Sequence, residues 1–337
     1  MRLYVLLLLL SYLATAGLRN FLARFGVIDR PNGRSSHTVP VPRGGGAAIV
    51  LVFLLAIVWR LLNMTVPCML AWALLGGGTL IALTGFVDDC CALSPWPKLL
   101  IHILAAAWAC WCFHGMAPPH FAAFIATSTW IGCIATVTGL VWITNLFNFM
   151  DGIDGLAGTE AVCVAGLGAF VADRGGSQEV APIAWMLSAA SLGFLIWNWP
   201  PARIFMGDTG SGFLGYALGV LALFSCKASP ANIWSWMILL AAFLADSSVT
   251  LFRRMIVGER WYEAHRNHAY QHAARMWSSH KKVTLAVAAL DLGGLFPLAY
   301  AVQQYPKWAP AIAAAAFAPL VILALRFKAG LPTELLK

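Results

Sequence analysis

Apolar residues run along the chain in eleven long stretches, which short polar segments separate. Each stretch is close to the roughly 20 mostly apolar residues that a helix needs to cross a bilayer. The pattern predicts an all-α integral membrane protein with about eleven transmembrane helices. No internal repeat is evident, so a single polytopic domain over residues 1–337 is expected. The stretches lie near 2–18, 45–62, 67–87, 98–113, 121–143, 156–172, 181–198, 211–226, 230–250, 283–302 and 308–325.

Composition indicates that lipid, not water, surrounds most of this chain. Hydrophobic residues make up 60% of the sequence and charged residues 11%, whereas a soluble domain carries about 25% charged residues. Positive cytoplasmic loops explain the formal charge of +8, so no nucleic-acid partner is expected. The eight cysteines form no C-x-x-C pair and are expected to be small apolar fillers, not zinc ligands or disulfides.

Basic residues are concentrated on one side of the predicted spans. Seventeen of the 22 Lys and Arg residues fall in the loops 19–44 and 251–282, at Lys98 and Arg203, and in the C-terminal tail. The positive-inside rule places this side, with the C-terminus, in the cytoplasm and the N-terminus outside, on the periplasmic side of a bacterium. One alternative stays open: residues 1–17 also have the features of a cleavable signal peptide.

Five of the fourteen acidic residues lie at predicted cytoplasmic ends of spans, interleaved with glycines. Carboxylates crowded at the mouth of a helix bundle repel one another unless a cation lies among them. Mg²⁺ takes few protein oxygens and shares its coordination with substrate phosphates. The pattern therefore predicts a magnesium-dependent phosphate site, the alternative being that each acid only caps a helix or reaches to the interface. The five are Asp88, Asp89, Asp151, Asp154 and Asp208.

The loop 251–282 carries a cluster of histidine and arginine side chains. If the segment is helical, its three histidines and Arg275 share one face. A cationic face of this kind can bind a diphosphate through charge-assisted hydrogen bonds. The alternatives are a zinc site and an amphipathic helix on lipid head groups. The cluster consists of His265, Arg266, His268, His272 and Arg275.

Only three acids, Glu160, Asp246 and Asp291, fall within predicted spans. A transporter would bind its substrate near the bilayer midplane, often between inverted repeats. Because the five carboxylates of the motifs gather at one face, an enzyme is favoured over a transporter. Asp246 is expected to pair with Arg253 or Arg254, which lie on the same face of the span.

The motifs occur in an order that resembles one family, the polyprenyl-phosphate N-acetylhexosamine-1-phosphate transferases. The resemblance covers about residues 29–282 and also includes the late histidine cluster. The motifs are Gly85-Phe-Val-Asp88-Asp89, Asn145-x-x-Asn148-x-x-Asp151-Gly-Ile-Asp154-Gly-Leu-Ala and Phe205-Met-Gly-Asp208-Thr-Gly-Ser.

The resemblance implies a multi-pass enzyme of the bacterial inner membrane, with its active site facing the cytoplasm. Such an enzyme transfers a sugar 1-phosphate from a UDP-N-acetyl sugar to undecaprenyl phosphate, releases UMP and requires Mg²⁺, for which Mn²⁺ is the substitute. Asp208 matches the metal ligand, Asp88 and Asp89 an acidic pair with base or contact roles, and Lys98 a basic residue that follows the pair. The implied substrate-binding residues are Asn145, Asn148, Asp151, Asp154, His265, Arg266, His268 and His272.

The resemblance implies an active site built from the loops 19–44, 88–97, 144–155, 199–210 and 251–282. Two departures concern the branch of the family. Cys90 and Cys91 stand where relatives often carry a third Asp, and His265-Arg-Asn-His268 replaces three consecutive histidines. The spaced form resembles the O-antigen-initiating branch, with donors such as UDP-N-acetylfucosamine or UDP-N-acetylquinovosamine. UDP-GlcNAc and UDP-MurNAc-pentapeptide remain alternative donors, and a homodimer remains open.

Overall fold

The computed structural model describes residues 1–29, 39–113, 129–259 and 265–331. Each of the eleven apolar stretches contains a helix, and the stretch 230–250 contains two. The helices are α1 Arg2–Phe25, α2 Ala47–Leu62, α3 Cys68–Cys91, α4 Pro95–Cys112, α5 Thr129–Phe149, α6 Leu156–Arg174, α7 Ala181–Asn198, α8 Gly207–Ser225, α9 Asn232–Leu239, α10 Ala241–Ile256, α11 Ala269–Trp277, α12 His280–Gln304 and α13 Ala309–Arg326.

Seven of the described helices are long and apolar enough to cross a membrane, or eight when α9 and α10 count as one span bent by 71°. The helices α2, α4 and α8 fall outside that set. α2 has only 16 residues, and α8 opens with the polar sequence Gly207-Asp-Thr-Gly-Ser211. The all-α, multi-pass architecture is confirmed, while the count of eleven spans and their orientation stay predictions.

Apolar side chains lie on the outside of the helix bundle, as in a protein surrounded by lipid. Large apolar side chains cover the outside of the bundle: Leu13, Leu55, Leu83, Ile134 and Ile322 each expose more than half of their surface. α8, in contrast, is enclosed by α3 and α5 and is buried over nearly its whole length. The polar start of the central helix therefore lies where the helices converge, and this position explains why its hydropathy can be low.

The segment after α1 forms a short antiparallel hairpin of β1 Ile28–Asp29 and β2 Val41–Pro42. Residues 30–38, which carry part of the first predicted loop, lie outside the described residues. The chain leaving β2 is hydrogen-bonded to the segment before α8: Phe205 N donates to Pro42 O at 2.8 Å, and Gly45 N donates to Phe205 O at 2.9 Å. These bonds bring the start of α2 against the start of α8.

The loop 251–282 is not one helix, so the expected face with three histidines is wrong. α10 continues to Ile256, residues 260–264 lie outside the described residues, and residues 265–268 are not helical. α11 begins only at Ala269, with His268 as its N-cap and with reciprocal capping by Gln271. The capping bonds satisfy backbone groups that a longer helix would have used, which explains why the helix begins there.

Candidate active site

Carboxylates from α3 and α8 meet at one lysine. Asp88 lies in the last turn of α3 and Asp208 in the first turn of α8. Lys98 Nζ lies 3.0 Å from Asp88 Oδ2 and 2.8 Å from Asp208 Oδ2. The three residues are far apart in sequence, and the ends of apolar helices bring them together. A single cation thus bridges two carboxylates that lie at the ends of their helices.

Arg43 provides a second cation on the same cluster. Its Nε lies 2.8 Å from Asp89 Oδ1 and its Nη2 lies 2.6 Å from Asp208 Oδ1. Burial lowers the pKa of Arg43, but the carboxylates of Asp208 and Asp89 outweigh this effect and raise it above its usual value. The sequence predictions missed Arg43. Its signal was its place directly before three glycines, Gly44–Gly46, at the entry of a span.

Asp89 is an anchor for the start of α8. Its Oδ1 accepts a hydrogen bond from Asp208 N at 2.9 Å, and its Oδ2 accepts from Thr209 N at 3.1 Å and from Thr209 Oγ1 at 2.7 Å. Gly207 has left-handed backbone with a φ of 75°, and a Cβ there would collide with this carboxylate. A Cβ at Gly85 would collide with the Asp208 backbone. Glycine at both positions is what allows α3 to approach α8 so closely.

The loop after α5 supplies an amide to the cluster. Asn148 Nδ2 donates to Asp208 Oδ2 at 3.1 Å, while Asn148 Oδ1 accepts from Ser211 Oγ at 2.8 Å. Asp151 lies close enough to feel the charges of Arg43 and Asp208, and burial raises its pKa well above its usual value. The Asn145 amide instead donates to Val141 O of its own helix at 2.7 Å, and the side chain is hydrogen-bonded to His102. Of this motif, Asn148 and Asp151 join the cluster and Asn145 does not.

Asp154 holds three segments together and does not reach the carboxylate cluster. Its Oδ2 accepts a hydrogen bond from Ala202 N at 3.1 Å, in the loop between α7 and α8. Its Oδ1 lies 3.4 Å from Nδ1 of His280, the first residue of α12. Thr284 Oγ1 donates to the Asp154 carbonyl at 3.1 Å. These contacts make Asp154 a tie between loops, a role that the sequence did not predict.

Two of the predicted histidines are neutral, contrary to the expected cationic face. Burial lowers the pKa of His265 to about 3 and that of His272 to about 4. Arg275 Nη2 lies 3.1 Å from His272 Nδ1, which accepts its hydrogen bond. Arg275 also donates to the carbonyl oxygen of Arg266 at 3.1 Å. These two histidines offer neutral hydrogen-bonding groups, while Arg266 and Arg275 bring positive charge to the segment.

Asp246 caps α11. Its Oδ1 accepts from Ala269 N at 2.9 Å and its Oδ2 accepts from Tyr270 N at 2.9 Å, while His268 Nδ1 lies 3.3 Å from Oδ1. Tyr270 Oη then donates to Phe149 O at 3.0 Å. The histidine segment and the carboxylate cluster therefore meet at the end of α5.

The expected pairing of Asp246 with Arg253 or Arg254 is wrong. Arg253 Nη1 donates to Ala329 O at 2.8 Å, and Arg254 forms an ion pair with Glu259. Asp246 instead accepts hydrogen bonds from backbone N–H groups at the start of α11. Such groups have no partner within their own helix and attract a carboxylate. The sequence showed both arginines about two turns away but not that α11 would dock on α10.

The donor chemistry of the cluster fits a hard divalent cation. Asp88 and Asp208 direct carboxylate oxygens to one point, where Lys98 Nζ lies. Mg²⁺ is commonly held by one or two carboxylates together with substrate phosphates. Among the described residues, no group of three or more His, Cys, Asp or Glu side chains could hold a metal ion by itself. The site therefore suits a cation that arrives with phosphate ligands, beside two fixed positive charges that phosphate oxygens can also contact.

Comparison with known proteins agrees with this geometry. The model of the glycosyl transferase family 4 matches residues 71–226, which include Asp88, Lys98, Asn148 and Asp208. A probable undecaprenyl-phosphate N-acetylglucosaminyl 1-phosphate transferase of Bacillus subtilis is 28% identical over 294 residues, 84% of this chain and 80% of the relative.

Two further relatives span most of the chain. A phospho-N-acetylmuramoyl-pentapeptide-transferase of Synechococcus sp. is 32% identical over 303 residues, 85% of this chain and 81% of the relative. A decaprenyl-phosphate N-acetylglucosaminephosphotransferase of Mycobacterium tuberculosis is 28% identical over 314 residues, 83% of this chain and 76% of the relative. All three names describe transfer of a phosphorylated amino sugar, and two of them name a polyprenyl phosphate.

Proposed function

The chain belongs to glycosyl transferase family 4, and on that premise we propose that it transfers an N-acetylhexosamine 1-phosphate from a UDP-sugar to undecaprenyl phosphate, with release of UMP. One observation carries the proposal: carboxylates of α3 and α8 converge on Lys98 and Arg43 at a single end of the bundle. Joining two anions requires that charge be neutralised where the phosphorus–oxygen bonds form and break. This cluster supplies fixed positive charge at such a place.

Each residue of the cluster has a role in the proposed reaction. Lys98 and Arg43 contact phosphate oxygens and offset their charge. Asp88 accepts the proton of the lipid phosphate as that oxygen attacks the β-phosphorus of the donor. Asp89 keeps the start of α8 in place, so that Asp208 faces the donor. A direct attack and a covalent aspartyl intermediate are both compatible with this arrangement.

We propose Mg²⁺, or Mn²⁺ in its place, as the cofactor. Asp208 would hold the ion, which would supply charge neutralisation of the donor diphosphate when bound. Asn148, hydrogen-bonded to Asp208, keeps that carboxylate in one orientation. Chelation should abolish turnover, and added Mg²⁺ should restore it without zinc. Recovery with zinc alone would argue against this cofactor.

The site is proposed to face the cytoplasm of a bacterial inner membrane. The positive-inside distribution of the loops supports that orientation. A UDP-sugar is cytoplasmic, and the lipid phosphate reaches the ends of the spans from the bilayer side. A reporter fused after residue 337 should therefore be active in the cytoplasm, and a tag before residue 2 should be accessible from outside. A cytoplasmic N-terminus would contradict the eleven-span topology.

The relatives are named for different sugars, so several donor sugars are compatible with the proposal. The spaced pair His265-x-x-His268 favours a 6-deoxy N-acetyl sugar of O-antigen synthesis, whereas the relatives are named for N-acetylglucosamine and N-acetylmuramoyl-pentapeptide. Each of these donors is an N-acetylhexosamine linked to a nucleoside diphosphate. The reaction class is therefore the same for all of them.

Purified protein incubated with undecaprenyl phosphate and a panel of UDP-sugars tests both levels of the proposal. The panel contains UDP-N-acetylfucosamine, UDP-N-acetylquinovosamine, UDP-GlcNAc and UDP-MurNAc-pentapeptide. UMP release that needs both the lipid and one donor is the expected result, and the preferred donor identifies the sugar. Uptake of the UDP-sugar into proteoliposomes without UMP release would instead indicate a transporter.

A further inference from the structure

Glu160 on α6 and Asp291 on α12 bring two carboxyl groups together inside the bundle. Both residues are 0% exposed, and their side chains lie within hydrogen-bond reach of each other. No N–H or O–H group of the described residues donates to any of their four carboxyl oxygens. The proposed transfer reaction uses neither residue. Two acids placed in contact without a donor or a counter-charge need an explanation of their own.

Within the described part of the chain, no positively charged side chain is among the main groups that act on the pair. Cys163, one turn further along α6, is a third titratable group that faces it. α7 and α9, which pack against α6, carry no acidic or basic side chain. α8 carries Asp208, which is bound to Lys98, and Tyr216, whose hydroxyl donates to Ala73 O at 2.9 Å. Two ionised carboxylates at this place would repel each other and would both lack solvation.

We propose that Glu160 and Asp291 form a proton-binding site, in which one carboxyl group is protonated and donates a hydrogen bond to the other. The site takes one proton from water: one carboxylate becomes a carboxylic acid, and no other bond changes. A protonated carboxyl group gains the O–H donor that the neighbourhood lacks. The pair then carries one negative charge in place of two, spread over a shared hydrogen bond.

A proton fits the pair better than a metal ion does. A metal ion of the Mg²⁺ or Ca²⁺ type requires six or more oxygen ligands, and two carboxyl groups offer four oxygens. Cys163 also faces the pair, but among the described residues no three His, Cys, Asp or Glu side chains form a group that could hold a metal ion. Both side chains are fully enclosed, so water has no exposed face from which to complete such a shell. A proton needs only the two oxygens that it joins.

The position of the pair gives the proton a structural consequence. α12 carries Asp291 in a π-helical turn, Asp291–Leu295, and such turns interrupt a helix and occur frequently at functional sites. Nearer its start, the same helix holds the loop after α5: Thr284 donates to the Asp154 carbonyl, and His280 faces the Asp154 carboxylate. The shared proton joins α12 to α6, and α12 in turn keeps that loop beside the carboxylate cluster.

Infrared spectroscopy of the full chain in detergent tests the site without reference to transferase activity. At neutral pH the protein should show the carbonyl-stretch band of a protonated carboxylic acid, and the band should shift when H₂O is exchanged for D₂O. The double variant Glu160→Gln/Asp291→Asn should lose from this band the intensity of one protonated carboxyl per chain, and any part that comes from Asp151, whose pKa burial raises, should remain. Asp173→Asn is the matched control, because Asp173 is an exposed acid at the end of α6, and it should keep the band.

Three results would overturn the proposal. One is the absence of a protonated-carboxyl band in the parent protein at neutral pH, a measurement that needs no variant to fold. Another is a band whose intensity is unchanged in the double variant, which would assign the proton to another group. A band that disappears when NaCl is added in place of a potassium salt would also count against the proposal, because it would identify a sodium site.

Discussion

The carboxylate cluster and the histidine segment differ in how their charges are held. In the cluster, Asp88, Asp89 and Asp208 are paired with Lys98 and Arg43 at distances of 2.6–3.0 Å. In the histidine segment, burial keeps His265 and His272 neutral. The charged groups of the cluster can form ion pairs with a charged substrate. The neutral histidine rings can only form hydrogen bonds with it. We therefore expect the carboxylate cluster to neutralise charge and the histidine segment to contact the UDP-sugar.

The largest effect should come from Asp208→Asn, which removes the carboxylate that both cations contact. We expect turnover to fall about a thousandfold or more, roughly 4 kcal/mol of transition-state stabilisation. Initial rates of UMP release measure the change. His272→Asn, in the histidine segment, is the matched comparison and should cost less than tenfold. Equal losses of turnover in the two variants would contradict the different roles assigned to the carboxylate cluster and the histidine segment.

Asp88→Asn and Asp89→Asn should separate chemistry from anchoring within the cluster. Asp88→Asn should lose turnover by about a hundredfold, in the range of general acid–base catalysis, with little change in KM for the donor. Asp89→Asn should also lose turnover. Unlike Asp88→Asn, it should lower the unfolding free energy by about 1–2 kcal/mol, because Asp89 caps the start of α8.

Thermal melting in detergent, run beside the kinetic assay, distinguishes the two variants. If Asp88→Asn melts earlier than Asp89→Asn, or if both lose only donor affinity, the assigned roles are wrong.

Arg43→Lys should have a smaller effect than either carboxylate change. Lysine keeps the positive charge but cannot contact Asp89 and Asp208 with two separate N–H groups at once. We expect about a tenfold loss of turnover, and a larger one for Arg43→Gln, which also loses the charge. Steady-state rates for the two variants check the order. An Arg43→Gln variant as active as the parent would remove Arg43 from the site.

The smallest effect concerns pH and the neutral histidines. His272, with a pKa of about 4 in the folded protein against 6.5 in the unfolded chain, takes up its proton more readily when unfolded. The folded state is therefore most favoured above about pH 6.5, and its stability decreases as the pH falls towards 4. His272→Asn should flatten this part of the stability profile, measured by melting temperature against pH. A profile that the substitution leaves unchanged would contradict a buried neutral His272.

The residues that sequence reasoning located best are those at the ends of apolar helices. Asp88 and Asp208 could be expected to meet because each lies at the end of a predicted span on the same side, and the structure brings them to one lysine. Spans fix the depth of their end residues in the bundle. The depth of such residues can therefore be predicted without knowing which helices are neighbours.

What the sequence could not predict depends on contacts between distant segments. Arg43 reaches Asp208 only because residues 42–46 bond to the segment 205–206. Asp246 found the start of α11 and not the nearby arginines, and α11 itself starts later than helical periodicity suggested because His268 and Gln271 cap it. Glu160 and Asp291 meet across α6 and α12, a pairing that no local pattern encodes.

The most direct test of the central claim is to follow the phosphorus atom next to the sugar. A UDP-N-acetyl sugar labelled at its β-phosphate is incubated with undecaprenyl phosphate and the purified protein, and the lipid is extracted. If the protein transfers sugar 1-phosphate, the label moves into the lipid fraction, UMP is released, and Asp208→Asn prevents both. Label that stays in water-soluble UDP while the sugar alone reaches the lipid would contradict the account.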